Sequence, residues 1–252
     1  MAIHRPGLIL QHGDSGPPGI LGEWLRERSI AHEIHPTWRE PLPADPAAYG
    51  WIASLGSEHT PGHPDAPGWV ADEVEFLELA LNAEVPVLGL CFGGQALAAA
   101  AGAAIVASEP PEIGWLEVAT DDPELVPPGP WLHYHYDLFE PPPGSTTIAR
   151  SPAGPAAFTL GPSLGLQFHP ESTPEIAAEW ARQDASRLTE TGIDPLELER
   201  QGAGAAAAAA IAARSLFNAW WRRLASRPQP GMGTLSTVVA RPAIGSRRGG
   251  EE

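Results

Sequence analysis

Residues 89–95 read GLCFGGQ, and this stretch places Cys91, the single cysteine of the chain, between glycines. The apolar residues 85–88 before it predict a buried strand, and the alanine-rich residues 96–101 after it predict a helix. A strand, a sharp glycine-flanked turn and a helix together form a nucleophile elbow, here with cysteine where many hydrolases have serine. Glycine permits the turn, and the free N–H groups at the start of the helix favour a thiolate. The stretch therefore predicts that Cys91 is a nucleophile.

A base for this nucleophile is predicted in the sequence QFHPE at residues 167–171. Residues 164–168 are predicted to form a short strand with His169 at its C-terminal end. Glu171 follows two residues later, so both side chains can project to the same side of an extended segment. A carboxylate in that position can fix the imidazole tautomer while the other ring nitrogen faces the thiol. Alone, a buried cysteine is most often an unreactive hydrophobe and a loop histidine is ordinary, but together they predict a triad of Cys91, His169 and Glu171.

Taken together, these two motifs resemble those of the class I glutamine amidotransferases. The resemblance covers roughly the first three quarters of the chain, and it is strongest to stand-alone proteins similar to the amidotransferase domain of GMP synthase. Residues 131–137, WLHYHYD, resemble the family's Ser-His-Gly-Asp segment, with Tyr134 and Tyr136 in place of serine and glycine. Residues 55–57, LGS, occupy the place of the family's Gly-Gly-Pro oxyanion loop.

The resemblance implies a reaction in which Cys91 attacks the side-chain amide of glutamine. In that reaction His169 takes the thiol proton and later protonates the departing ammonia, while Glu171 orients His169. Water then hydrolyses the γ-glutamyl thioester to glutamate. The ammonia would pass to an acceptor or to a partner synthetase. We expect no cofactor and no metal ion at this site.

The resemblance also implies roles for five further residues. The backbone N–H groups of Phe92 and Gly56 are expected to form the oxyanion hole, and Phe92 directly follows the nucleophile, as an elbow requires. Gln95, Tyr134 and His135 match family positions that hold glutamine. Gln95 could instead cap its own helix. The neighbouring His133 is given no catalytic role.

Three alternatives to this function stay open at the level of sequence. The first is a free-standing hydrolase of γ-glutamyl compounds, and the second is a non-catalytic regulatory module on the same fold. The third is a peptidase-like cysteine hydrolase, although its relatives usually have histidine directly after the nucleophile where this chain has Phe92. Residues 59–65, HTPGHPD, hold two histidines and a carboxylate, but a metal site needs a third or fourth placed ligand, so a loop beside the active site is favoured.

Composition and charge narrow the partners and the compartment. The net charge of −16 argues against nucleic acid or an anionic membrane as a partner. A single cysteine suits a reducing compartment, and residues 1–7 show no signal-peptide pattern. The apolar run at residues 205–213 is too short to cross a bilayer. We therefore expect a cytoplasmic protein that binds glutamine or a γ-glutamyl amide.

Strand-like and helix-like segments alternate over the first hundred residues and predict a parallel sheet with helices on both faces. From residue 105 to 168, short strands between Pro/Gly turns predict a small antiparallel extension. The expected fold is thus α/β, doubly wound and flavodoxin-like. We expect the amidotransferase domain at residues 1–189, C-terminal helices packed on it at residues 190–225, and a disordered tail at residues 226–252.

Overall fold

The computed structural model describes residues 5–226, and a mostly parallel sheet of eight strands forms its centre. In chain order the strands are β1 (Gly7–Gln11), β2 (His32–Pro36), β3 (Trp51–Ser54), β4 (Val87–Leu90), β5 (Ile105–Leu116), β6 (Ala119–Thr120), β7 (Trp131–Phe139), β8 (Thr146–Arg150), β9 (Pro155–Leu160) and β10 (Ser163–Leu166). The helices are α1 (Gly19–Glu27), α2 (Gly68–Asn82), α3 (Phe92–Ala100), α4 (Pro174–Gln183), α5 (Ala185–Glu190) and α6 (Pro195–Ala225), with a 3₁₀ turn at Pro46–Ala48.

The order of strands in the large sheet is β2-β1-β3-β4-β10-β9-β8-β6. The first five strands are parallel to one another, and the last three continue the sheet in antiparallel fashion. Strands β5 and β7 form a separate antiparallel pair. The predicted α/β fold with a mostly parallel sheet and a small antiparallel extension is confirmed. The extension is divided, however, because β10 returns to the large sheet and lies parallel to β4.

Both faces of the sheet are covered, which explains the near-continuous apolar runs of the central strands. Every residue of β3, β4 and β10 is buried. On β1, Ile9 belongs to the core under α1 and α6, whereas Leu8 and Leu10 belong to the core under α2 and α3. Alternation along one strand therefore contributes to two cores.

Helix α6 is one continuous helix, whereas the sequence pattern favoured one helix from residue 194 and a second over residues 203–224. Glycine in a helix costs about 1 kcal/mol relative to alanine, and the apolar face further along the helix outweighs this cost at Gly202. On that face, Phe217 lies 5.9 Å from Trp24 between ring centroids, and Trp220 lies 5.9 Å from Trp51. Gly202 itself faces β5, where an added Cβ would lie 3.1 Å from the indole nitrogen of Trp115.

Two other segments differ in detail from the sequence pattern. The helix expected over residues 174–187 is split at Asp184 into α4 and α5. The predicted tail at residues 226–252 lies outside the described residues except for Ser226, and the predicted domain boundary at residue 189 stays a prediction. Within residues 5–226, no helix combines the length and the apolar character needed to cross a membrane.

Candidate active site

Cys91 lies in the turn between β4 and α3, with a φ of 50° and a ψ of −104°. A positive φ is uncommon for a residue other than glycine and requires support from its surroundings. The support comes from two backbone hydrogen bonds: the Cys91 N–H donates to the Leu166 carbonyl at 2.9 Å, and the Cys91 carbonyl accepts from the Gln95 N–H at 3.0 Å. The predicted elbow geometry is therefore present, with the cysteine 4% exposed.

The glycines after Cys91 are required by close packing across the sheet. A Cβ added to Gly93 would lie 2.1 Å from the Ser54 carbonyl oxygen, and one added to Gly94 would lie 2.2 Å from the Leu166 carbonyl oxygen. Without side chains at these positions, α3 begins directly against the ends of β3 and β10. The first turn of the helix is thereby aimed at the nucleophile.

His169 lies three residues beyond β10 and is held by its backbone, whose N–H donates to the Leu132 carbonyl at 2.9 Å. Its Nδ1 lies 2.8 Å from Glu171 Oε1, and both side chains are buried. Burial alone would lower the pKa of His169, but the charges of Cys91 and Glu171 outweigh burial and raise that pKa to about 10. Because Nδ1 faces the carboxylate, Nε2 is the nitrogen left for the sulfur.

The two expected oxyanion donors both lie at this site. Phe92 is the first residue of α3, so its N–H has no acceptor in the preceding turn of helix. Gly56 follows β3 by two residues and lies against His169, because an added Cβ would come within 2.6 Å of its Cε1 atom. Both residues adjoin the carboxyl ends of neighbouring strands.

A buried polar network behind Gly56 was missed by the sequence analysis. His12 Nδ1 donates to the Gly56 carbonyl at 3.1 Å, and His12 Nε2 lies 2.7 Å from Glu73 Oε2. The Ser54 hydroxyl donates to the other oxygen of Glu73 at 2.6 Å. Trp69 stacks on the His12 ring with 5.2 Å between centroids. The available signal was positional, since His12 and Ser54 lie at the carboxyl ends of adjacent parallel strands.

The residues expected to bind substrate lie around Cys91 in different ways. The Gln95 amide donates to the Asp137 carbonyl at 2.9 Å, so it contacts β7. The Tyr134 carbonyl lies 3.8 Å from Cys91 Sγ, which brings the backbone of β7 to the nucleophile. His135 lines the same cavity, but its Nε2 lies 3.2 Å from Glu112 Oε2.

Tyr134 and Tyr136, the two departures from the family segment, join β7 to the junction of α4 and α5. Their hydroxyl groups donate to Asp184 Oδ2 at 3.2 and 2.7 Å, respectively. Burial, together with the Asp184 carboxylate, raises the pKa of both phenols, which therefore stay protonated as donors. The guanidinium of Arg187 lies over the Tyr136 ring, 3.3 Å from its centroid. These contacts build one wall of the cavity.

The cavity around Cys91 and His169 has a volume of about 610 Å³. Its walls come from the ends of β1, β3 and β4, from β7, and from α4 and α5. The segment at residues 59–65 contributes only its first part to this wall: His59 lies edge-on to Trp69, and Thr60 donates to Asp137 Oδ2 at 2.7 Å. His63 points into solvent, so the two histidines of this segment do not converge.

Comparisons with known proteins agree with this geometry. The glutamine amidotransferase class-I family model matches residues 59–184, which are half of the chain. The chain is 33% identical over 180 residues to the glutamine-hydrolyzing GMP synthase of Aeropyrum pernix, over 67% of this chain and 33% of that protein. It therefore spans about a third of the length of that curated relative. Two solved structures are similar: a glutamine amidotransferase from Methylobacillus flagellatus (TM-score 0.79, 26% identity, 87% of this chain and 95% of that one) and one from Thermotoga maritima (TM-score 0.77, 25% identity, 88% and 99%).

Proposed function

This chain belongs to the glutamine amidotransferase class-I family, and from that premise we propose that it hydrolyses the side-chain amide of glutamine with Cys91 as nucleophile. The observation that carries the proposal is the buried pair of His169 and Glu171 in the same cavity as a cysteine with a positive φ. A strained, glycine-supported cysteine beside an oriented imidazole is the arrangement that nucleophilic amide hydrolysis needs.

In the proposed reaction, the Cys91 thiolate attacks the carbonyl carbon of the substrate amide. His169 has taken the thiol proton at Nε2, since Nδ1 faces Glu171, and it donates that proton to the departing ammonia. A water molecule, deprotonated by the same imidazole, then cleaves the γ-glutamyl thioester and releases glutamate. The raised pKa of His169 keeps the ring charged while the sulfur is a thiolate.

We assign the N–H groups of Phe92 and Gly56 to the developing oxyanion. A preorganised donor of this kind is worth roughly 3 kcal/mol of transition-state stabilisation. The assignment is supported by the free N–H at the first position of α3 and by the approach of Gly56 to His169. Gln95, Tyr134 and His135 are proposed to hold the substrate around the nucleophile.

The test is turnover of glutamine by the purified chain, measured as glutamate and ammonia released. Cys91→Ala should abolish turnover while circular dichroism shows a folded protein. His169→Ala, quenched in acid after exposure to glutamine, should retain a γ-glutamyl adduct on Cys91 for detection by mass spectrometry. Full activity in the Cys91 variant would remove this residue from the mechanism.

We further propose that the ammonia passes to a partner synthetase. The support is similarity to GMP synthases whose remaining two thirds lie outside the matched segment, and to one subunit of the glutamine-hydrolyzing GMP synthase of Ignicoccus hospitalis. A coupled assay should show higher glutamine turnover when the cognate synthetase is added. Rapid turnover by the chain alone, unchanged by any partner, would favour an autonomous hydrolase.

A second candidate substrate is a γ-glutamyl amide larger than glutamine, and the cavity favours it. A volume of about 610 Å³ falls in the range of pockets that hold drug-sized ligands, which is more than a single amino acid fills. The specificity constants for glutamine and for γ-glutamyl dipeptides separate the two candidates. A higher kcat/KM for the dipeptides would make the chain a γ-glutamyl hydrolase that uses the same triad.

A further inference from the structure

Two histidines and a glutamate form a buried cluster that the proposed amide hydrolysis does not use. Glu112 on β5 is directly opposite His135 on β7, and His133 lies two residues earlier on the same side of β7. The three residues are 6%, 3% and 0% exposed, respectively. Within residues 5–226, they are a group whose ligand atoms all lie close enough together to share one metal ion.

The three facing atoms have the spacing of ligands around one ion. His133 Nδ1 lies 2.8 Å and His135 Nε2 lies 3.2 Å from Glu112 Oε2, and the two nitrogens are 3.4 Å apart. Three atoms at these separations lie about 1.8 Å from a common centre, so an ion with bonds of about 2.0–2.1 Å fits just outside their plane. That is the position of the metal above three ligands of a tetrahedral site.

The outer sides of the ligands are compatible with this arrangement. Glu112 Oε1 accepts the N–H of Ala153 at 3.2 Å, which turns the other oxygen toward the histidines. Within the described part of the chain, the far nitrogens of the rings, His133 Nε2 and His135 Nδ1, have no hydrogen-bond partner. No donor therefore occupies the far nitrogens and forces the proton onto the facing ones, so the facing nitrogens can present lone pairs to an ion.

We propose that Glu112, His133 and His135 bind one divalent transition-metal ion, with zinc as the best match to two imidazoles and a carboxylate. The ion would join β5 to β7, and through Ala153 it would also hold the turn between β8 and β9. Since Tyr134 lies between the two histidines, the ion fixes the segment whose carbonyl faces Cys91. This proposal departs from the expectation of a metal-free protein, and it does not depend on the proposed reaction.

The first experiment measures binding rather than activity. The full chain is stripped with a chelator, and Zn²⁺ is titrated by calorimetry and by the shift in Tm. Wild type should bind one ion per chain, and Glu112→Gln and His133→Asn should each weaken binding by more than about 100-fold, because losing an outer-shell partner alone costs 10- to 100-fold. His63→Asn, an exposed loop histidine, is the matched control and should bind like wild type.

A second experiment identifies the ligands without relying on a variant that folds. Co²⁺ bound to the stripped wild-type chain should give visible absorption bands of nitrogen and oxygen ligation without a thiolate charge-transfer band, and Cys91→Ser should leave the spectrum unchanged. A charge-transfer band that disappears in Cys91→Ser would move the ion to the nucleophile and overturn the proposal. Absence of Zn²⁺ binding by wild type, or equal binding by Glu112→Gln and His133→Asn, would show that the cluster is only hydrogen-bonded.

Discussion

Replacing Glu73 with glutamine tests whether the network behind Gly56 supports the proposed oxyanion loop. Glu73 is fully buried and accepts two hydrogen bonds, from His12 at 2.7 Å and from Ser54 at 2.6 Å. Both ring nitrogens of His12 face acceptor oxygens, so both bonds of that ring are complete only when each nitrogen carries a proton. Glutamine has the same shape but removes the negative charge and offers an N–H₂ group to one of the two donors.

The expected cost follows from the two bonds. A hydrogen bond to a charged group contributes roughly 1.5–3 kcal/mol and a neutral one roughly 0.5–1.5 kcal/mol, so two weakened bonds should lower the free energy of unfolding by about 2–3 kcal/mol. The Gly56 carbonyl accepts from His12, and loosening that bond frees the residue assigned to the oxyanion. We expect kcat for glutamine to fall about tenfold, less than the 10²–10³ expected when an oxyanion donor is lost outright.

Urea unfolding and steady-state turnover measure both effects. Glu75→Gln on the same helix is the matched control, because Glu75 is exposed and should change stability by less than about 0.5 kcal/mol. If the Glu73 variant matched this control in unfolding free energy and in kcat, the network would not support the loop. A loss of stability with unchanged kcat would limit the network to a structural role.

Three further predictions concern the nucleophile and its surroundings. His169→Ala should lower kcat by about 10²–10⁴ and Glu171→Gln by less, in turnover assays on variants that circular dichroism shows to be folded; the reverse order would contradict their assigned roles. Gly94→Ala should lower Tm strongly, because its Cβ would lie 2.2 Å from the Leu166 carbonyl, and a Tm equal to wild type would show that α3 can shift. The pKa of His169 is raised on folding, so its contribution to stability is present below pH 6.5 and lost as pH rises through about 10; unfolding measured across that range should show this loss in wild type and a smaller one in Cys91→Ala.

Sequence reasoning succeeded where the chemistry depends on residues close together in the chain. The elbow is one continuous stretch, and His169 and Glu171 are two residues apart, so motif spacing alone predicted their neighbourhood. The reason for the glycines was less local than expected. Gly93 and Gly94 contact Ser54 and Leu166, which belong to different strands, so the need for glycine at both positions depends on the order of strands in the sheet.

The two buried polar clusters show what spacing alone does not reveal. On α2, the sequence pattern placed Val74, Leu77 and Leu81 on the inner face, whereas the structure buries Glu73 with Leu77 and leaves Val74 and Leu81 half-buried. Glu73 meets His12, which is 61 residues away, only because β1 lies beside β3. Glu112 and His135 meet through a bulged register that no local pattern specifies.

The order of the parallel strands explains why the proposed site forms at this edge of the sheet. Strands β1, β3, β4 and β10 are consecutive neighbours, and the carboxyl ends of parallel strands open at one edge. Each of the four is followed within three residues by a member of the site: His12, Gly56, Cys91 and His169. Had β10 continued the antiparallel extension away from β4, His169 would lie far from the sulfur despite an unchanged local sequence. Insertion of β10 beside β4 is thus the step of folding that brings the nucleophile and its base together.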